Sequence, residues 1–329
     1  MIRVKLTTPF PKEPIRRQTP GRRGVWDNCQ FLVNQAVEEC DFWVVYEGLI
    51  EKERTHCPSE NTIFITGEPP GTRKYRPRFL QQFGAVITCH RDLQHPRVFY
   101  TQQGLPWHIG RRVDNTAREY PYSLGYDELK SISDLKKDQL ISVISSGQVD
   151  TEGHRRRLRF VQALREHFED KLHVFGRGIR YVEDKWDAIA NYKYHIVLEN
   201  GSYRDYWTEK LSDAYLGGAY PLYYGCPNIS DYFPKGSYTE IDINDPDRSI
   251  SIIDETISSQ QYEKAVGQLT AAKDLVLEKY NLFAMLTEQS NNLSSNAPKT
   301  RVLLNPESSP SLKRRIAQKL HIPMLTISR

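Results

Sequence analysis

The feature that most limits the fold of this chain is an alternation repeated along most of its length: a short apolar run, a polar segment with helical spacing, then another apolar run. In the second half it reads LISVISSG (140–147), RRLRFVQALREHF (156–168), LHVFGRG (172–178), KWDAIANY (185–192), YHIVLEN (194–200), TEKLSDAYLGG (208–218) and AYPLYYG (219–225). Strands separated by helices pair in parallel, because each connection must cross the sheet before the next strand begins. The first half carries the same alternation in FWVVYE (42–47), NTIFITGEPP (61–70), RFLQQFGAVITC (78–89) and RVFYTQQ (97–103). Apolar spacing over 25–41 predicts an amphipathic helix ahead of FWVVYE. The expected fold class is α/β, with two doubly wound, Rossmann-like units.

A chain of 329 residues fits two domains of roughly 150 residues each. The polar, turn-rich stretch 114–137 puts the boundary near 135, giving domains at 1–135 and 136–295, with a linker and tail at 296–329. Residues 254–293 read as terminal helices. With 39% apolar residues and a mean hydropathy of −0.61, the composition is that of a globular protein, and no apolar run approaches the ~18 residues a membrane span needs. The N-terminal MIRVKLTTPFPKEPIRRQTPGRRG has no apolar signal region, so the expected setting is cytoplasmic, peripheral to an inner membrane surface at most. Five scattered cysteines without a CxxC pair are expected to be reduced thiols. A net charge of +4 is mild, and no aromatic residues interleave the arginine cluster at 155–159, so no nucleic-acid partner is expected. After Glu307 the tail has no acidic residue and places Leu312, Ile316 and Leu320 among Lys313, Arg314, Arg315 and Lys319. It is either a basic amphipathic contact with an anionic membrane surface or a helix packed on its own domain.

In open α/β sheets ligands bind beyond the carboxyl ends of the strands, and two stretches there draw the argument. YHIVLEN ends at Glu199 and Asn200, and a helix starts near Thr208. Lys210 in its first turn opposes the helix dipole by ~0.3–1 kcal/mol, a conflict that a bound anion removes. GHRRRLRFVQAL (153–164) follows the strand LISVISSG and crowds four arginines into a helix start. Each cluster read alone is either an anion site or a solvated basic face. Two such helix starts after two strands of one domain together favour a ligand that contains a diphosphate.

The block YKYHIVLENGSYRDYWTEKLSDAYLGGAYPLYYGCPNISDYFPKGSYTEID (192–242) resembles the donor-binding signature of the α-1,3-fucosyltransferases, glycosyltransferase family ten. That pattern runs Tyr-Lys-Phe, a short apolar strand, Phe-Glu-Asn, Asp-Tyr-x-Thr-Glu-Lys, a helix, Pro-x-x-x-Gly-x-Pro and Pro-x-x-Ser-[Phe or Tyr]. Here Leu198 stands for the phenylalanine before Glu199. The resemblance extends over most of 140–245 and reaches the first half only through IFITGEPP and SLGYDEL. It implies a GT-B fold, two Rossmann-like domains facing across a cleft, with GDP-fucose bound by the second domain and a glycan acceptor, lipid-linked or lipopolysaccharide, by the first. By the same resemblance Tyr206 and Glu209 contact the ribose and neighbouring groups, and Lys210 and Arg157 neutralise the diphosphate. Arg155 or Arg156 takes that role if the alignment is off by a turn. Glu199 matches the family's glutamate, and Asn200 is a further candidate for donor contact.

An inverting transfer needs cations where leaving-group charge develops and a carboxylate on the opposite face of the sugar to accept the acceptor's proton. Glu68, in TGEPP at the end of an apolar strand, is the candidate base, by likeness to the family's Glu-x-Pro turn. The alternative for Glu68 is a turn carboxylate held by backbone N–H groups. The acidic run DINDPD (242–247) could be mistaken for a metal-binding DxD, but arginine and lysine already offer the positive charge, so no metal and no resident cofactor are expected. Other nucleotide sugars as donor, or a non-catalytic sugar-nucleotide or glycan-binding module, stay open as alternative readings. Transfer measured with and without excess EDTA should be unchanged; complete loss restored by Mg²⁺ would overturn the metal-free expectation.

Overall fold

The computed structural model describes residues 1–145, 152–176, 178–293 and 297–307, and the chain forms two compact units. The tail at 308–329, with its membrane reading, lies outside the described residues. No helix among these residues is long and apolar enough to cross a membrane.

The first unit comprises Met1–Gln103, Arg112–Tyr122 and the chain from Leu282. Its strands are β1 (Ile2–Thr7), β2 (Val25–Trp26), β3 (Cys29–Val33), β4 (Phe42–Tyr46), β5 (Glu53–Cys57), β6 (Thr62–Ile65), β7 (Ala85–Thr88) and β8 (Val98–Tyr100), with one short helix, α1 (Pro77–Leu80). Seven of them form a sheet in the order β2-β3-β1-β4-β6-β7-β8. All pair in parallel except β2 with β3. Phe64 of β6 anchors the core, with Tyr75, Phe79 and Phe83 at ring-centroid distances of 5.2, 5.1 and 5.1 Å.

The helix expected over 25–41 does not form. Asp27 adopts a positive φ of 48° and turns Val25–Trp26 back on Cys29–Val33 as an antiparallel ribbon. The apolar residues there fit both periods, and the turn at Asp27 decides for strand. Beyond it, Asn34 at φ 50° accepts the Thr8 N–H at 2.8 Å, and the chain reaches β4 without a helix.

The second unit comprises Gly104–Arg111 and Ser123–Asn281. It holds α2 (Tyr126–Ser131), β9 (Gln139–Ile144), α3 (Glu152–Phe168), β10 (Leu172–Phe175), α4 (Trp186–Ile189), β11 (Tyr192–Leu198), α5 (Glu209–Leu216), β12 (Tyr220–Tyr224), β13 (Thr239–Glu240), α6 (Pro246–Ser258), α7 (Gln261–Lys264) and α8 (Val266–Glu278). The five strands order as β10-β9-β11-β12-β13, all parallel. Here strand and helix alternate as expected, and α3 buries Phe160, Val161, Leu164 and Phe168. The chain then returns to the first unit as α9 (Leu282–Leu293) and β14 (Thr300–Leu304), β14 pairing antiparallel with β5.

The two units therefore do not follow single cuts near 135 and 295. Residues 104–111 and 123–135 go with the second unit, and the chain from 282 goes with the first. Long-range pairing is the reason: β14 finds its partner in β5, and Glu307 closes a buried ion pair with Arg73 at 2.9 Å. Each unit is the α/β layer that the fold class requires, and the sheet of each is predominantly parallel.

The turn after β10 depends on Gly176. Its φ is +143°, and a Cβ there would sit 1.8 Å from the Ser145 carbonyl oxygen at the end of β9. Gly176→Ala should lower the unfolding free energy by roughly 2–4 kcal/mol through backbone strain and overpacking, read as a lower denaturant midpoint with unchanged slope.

Candidate functional site

The site in the second unit grows from the carboxyl end of β11. Glu199, the residue after the strand, has a fully buried side chain. Its Oε1 accepts the Thr208 backbone N–H at 2.8 Å, and its Oε2 accepts the Thr208 hydroxyl at 2.8 Å. Thr208 is the N-cap of α5, so the carboxylate holds the start of that helix. Lys210 Nζ lies 3.4 Å from Glu199 Oε2, 3.1 Å from Thr208 Oγ1 and 3.4 Å from Glu209 Oε1. The conflict between Lys210 and the helix dipole is thus met by two carboxylates of the protein. Burial raises the Glu199 pKa, with Lys210 opposing it. Burial also works against the Lys210 charge, but Glu209 and Glu199 outweigh it and hold the ammonium pKa above its usual value.

Asp205 of the same motif has a structural place. At φ 61° it accepts from Asn228 Nδ2 at 2.9 Å and from the Tyr232 hydroxyl at 2.7 Å, tying the loop before α5 to the segment after β12. Tyr206 is 2% exposed, and its ring packs edge-on against Tyr203 at 6.3 Å.

A cavity of about 280 Å³ opens beside this helix start, and Arg157, Asn200, Glu209 and Lys210 all line it. Arg157 lines the cavity; Arg155 and Arg156 do not, and Arg156 instead reaches Asn244 Oδ1 at 3.3 Å. Arg157 Nη1 donates to Asn200 Oδ1 at 2.6 Å and to the Leu198 carbonyl at 3.5 Å. Both are neutral acceptors, and no carboxylate among the described residues pairs with this guanidinium. Burial lowers its pKa, and Glu199 opposes that shift. Of the six expected donor-site residues, four meet at the cavity. Glu199 and Tyr206 do not line it; Glu199 acts behind the wall by placing Thr208 and Lys210.

Sequence reasoning missed further lining residues. Lys185 Nζ pairs with Asp213 Oδ2 at 2.7 Å, and Asp213 Oδ1 accepts the backbone N–H groups of His108 and Ile109 at 2.9 and 3.0 Å. Lys185 was legible by the rule that found Arg157 and Lys210, being a basic residue just before a helix. Asp213 and His108 were not, because their meeting depends on the segment 104–111 joining this unit.

Glu68 lies in the first unit, three residues beyond β6, and is half-buried. Its carbonyl is 2.7 Å from His90 Nε2, which therefore carries the proton. Its turn is braced by Arg73, which donates to the Glu47 carbonyl at 3.2 Å, pairs with Glu307 and stacks on Tyr75 at 4.6 Å. Glu47 is 3% exposed, and a Cβ on Gly67 would fall 2.2 Å from its carboxyl carbon. A second carboxylate thus packs on the Glu68 turn, which the strand-end reading of FWVVYE did not flag. The first unit also has its own cavity of about 980 Å³, lined by Lys5, Thr7, Thr8, Asn34, Gln35 and Glu53 among others. Lys5 is 3% exposed and pairs with Glu53 at 2.8 Å. Among the described residues no group of three or more His, Cys, Asp and Glu is placed to hold a metal ion, and the five cysteines are all buried and outside any disulfide.

Residues 134–254 match glycosyltransferase family 10 (fucosyltransferase), C-terminal. The segment is similar to the 4-galactosyl-N-acetylglucosaminide 3-alpha-L-fucosyltransferase 9 of Mus musculus, 32% identical over 96 residues, covering 27% of this chain and 26% of that protein. The alpha-(1,3)-fucosyltransferase FucT of Helicobacter pylori is 33% identical over 73 residues, covering 22% of this chain and 15% of that one. The matches thus span about a quarter or less of the length of these relatives. A solved alpha1,3-fucosyltransferase with GDP aligns at 17% identity and a TM-score of 0.49, covering 85% of this chain and 93% of that chain.

Glu199→Gln should lower the unfolding free energy by roughly 1–3 kcal/mol, because it removes a buried charge on which three donors converge. Glu209→Gln, at the cavity rim, should change it by about 0.5 kcal/mol or less. Urea unfolding of the two variants checks the ordering.

Proposed function

Because residues 134–254 match glycosyltransferase family 10 (fucosyltransferase), C-terminal, we propose that the chain is an inverting transferase that moves L-fucose from GDP-fucose to a hydroxyl of a glycan, in the manner of an α-1,3-fucosyltransferase. The observation that carries this reading is Arg157: a guanidinium on the cavity wall, bonded only to neutral oxygens, with Lys210 lining the same cavity. A diphosphate supplies the anionic oxygens that these two groups are placed to receive.

In the proposed step the bond from the sugar's anomeric carbon to the diphosphate oxygen breaks, and the electron pair leaves with GDP. Negative charge grows on that leaving oxygen, where Arg157 and Lys210 stabilise it, so their contribution is larger in the transition state than in the ground state. The acceptor hydroxyl attacks the opposite face, its oxygen forms the new bond, and its proton passes to the Glu68 carboxylate. The brace of Arg73, Glu307 and His90 around the Glu68 turn suits a base that must hold one position.

Calorimetric titration with GDP-fucose, GDP-mannose, GDP and UDP-sugars tests the donor. GDP-fucose should bind best, and Lys210→Ala should weaken it by about 10–100-fold, the loss of one or two charge-assisted hydrogen bonds. Glu68→Gln should retain donor binding and lose transfer by about 10²–10⁴-fold. A preference for another nucleotide sugar replaces the donor, and wild-type turnover in Glu68→Gln removes the base from this role.

A further inference from the structure

Below the cations, the wall of the cavity is strand β11 itself. His195, in the middle of that strand, lines the cavity and is 4% exposed. It faces Ser142 of β9 in register. Ser142 Oγ lies 2.7 Å from the Ala188 carbonyl oxygen and 2.8 Å from His195 Nδ1. A carbonyl can only accept, so the single hydroxyl proton points to Ala188. The serine oxygen must then accept from the ring, which puts the imidazole proton on Nδ1 and leaves Nε2 with its lone pair. Among the described residues nothing donates to Nε2. The ring also stays neutral: burial, then the charges of Lys185 and Lys137, push its pKa down to about 3.

The cavity is therefore sorted into two kinds of surface. Arg157 and Lys210 suit anionic oxygens. His195 suits only a group that brings its own proton, because an ionised phosphate oxygen set against Nε2 would oppose two lone pairs. Among the described residues the lining includes Lys185, Asp213, Glu209 and His108 but no Phe, Tyr or Trp, so a purine finds no aromatic ring there to stack on, whereas the hydroxyls of a sugar find donors and acceptors in turn.

We infer that His195 is a specificity-determining residue of the donor site, accepting at Nε2 a hydrogen bond from a hydroxyl of the transferred sugar. This rests on the nucleotide-sugar reading above. Its consequence is selection by hydroxyl pattern: a donor with no hydroxyl at that position leaves a buried acceptor unsatisfied and binds more weakly.

The test is calorimetry of wild type, His195→Leu and His195→Gln with GDP, with GDP-fucose and with GDP-fucose analogues each lacking one sugar hydroxyl. His195→Leu should bind GDP-fucose about 10-fold more weakly while binding GDP as wild type does; unchanged GDP binding also shows that the variant is folded. His195→Gln, whose amide oxygen reaches the place of Nε2, should recover most of the loss. One deoxy analogue should bind wild type about 10-fold more weakly and His195→Leu no more weakly than GDP-fucose itself. Equal losses for GDP and GDP-fucose would assign the residue to the nucleoside and overturn the inference, as would no loss at all. If wild type binds neither compound, the nucleotide-sugar reading falls and takes this one with it. Nitrogen NMR of the wild-type ring gives a second check, since a proton on Nε2 contradicts the assignment.

Discussion

The candidate site of the second unit is organised around one carboxylate that never reaches solvent. A buried charge is tolerated only when its lone pairs are filled, and Glu199 fills them with the N-cap of α5 and the ammonium of Lys210. Those bonds fix where the helix starts, and the helix start fixes where Lys210 and Glu209 stand. Gly225 belongs to the same arrangement, since a Cβ there would lie 2.5 Å from Glu199 Cγ and 2.4 Å from the Tyr223 hydroxyl. Glu-Asn, Thr-Glu-Lys and the glycine of Gly-Cys-Pro are separated in sequence, yet in space they are the surroundings of a single side chain.

Around that anchor the cations differ in how much of their charge is already spoken for. Lys185 sits against Asp213 at 2.7 Å, and Lys210 is shared between two carboxylates at 3.4 Å. Arg157 leans on carbonyl oxygens alone. A guanidinium keeps its proton even where burial disfavours it, and its planar fork suits phosphate oxygens. The electrostatic attraction of the cavity for an anion is therefore concentrated at α3, with α5 supplying a more neutralised partner.

The second unit was legible because its local and long-range signals agree: each apolar run is a strand, each following segment a helix, and the basic helix starts fall where a parallel sheet puts its ligands. The arginine cluster and Lys210 could be found that way, whereas Asn200, Glu209 and the choice of Arg157 within its cluster came with the motif. Glu199 and Tyr206 were found as members of the motif, but the motif does not distinguish a residue that lines a cavity from one that builds its wall. The first unit was harder. Between Val25 and Val37 the apolar residues fit a helix, and only the left-handed turn at Asp27 makes them a ribbon. The cuts near 135 and 295 failed because pairing between β5 and β14, more than 240 residues apart in sequence, leaves no local trace. Glu47 at the Glu68 turn was hidden for a similar reason, its proximity to Gly67 being a matter of neighbouring strands.

The path of the chain through the two units bears on how the protein is made. The greater part of the second unit, 123–281, is one continuous stretch, whereas the first unit lacks β14 and the Glu307 partner of Arg73 until the ribosome has passed them. Domains commonly fold in the order of their synthesis. Here the seven-stranded sheet of the N-terminal half is complete by Tyr100, while the β5 edge and Arg73 gain their partners only when 300–307 has been made. What the N-terminal half acquires last is thus its seal rather than its sheet: the β5 edge and the buried Arg73 that braces the Glu68 turn are closed by residues 300–307, about 200 positions after the last strand of that sheet.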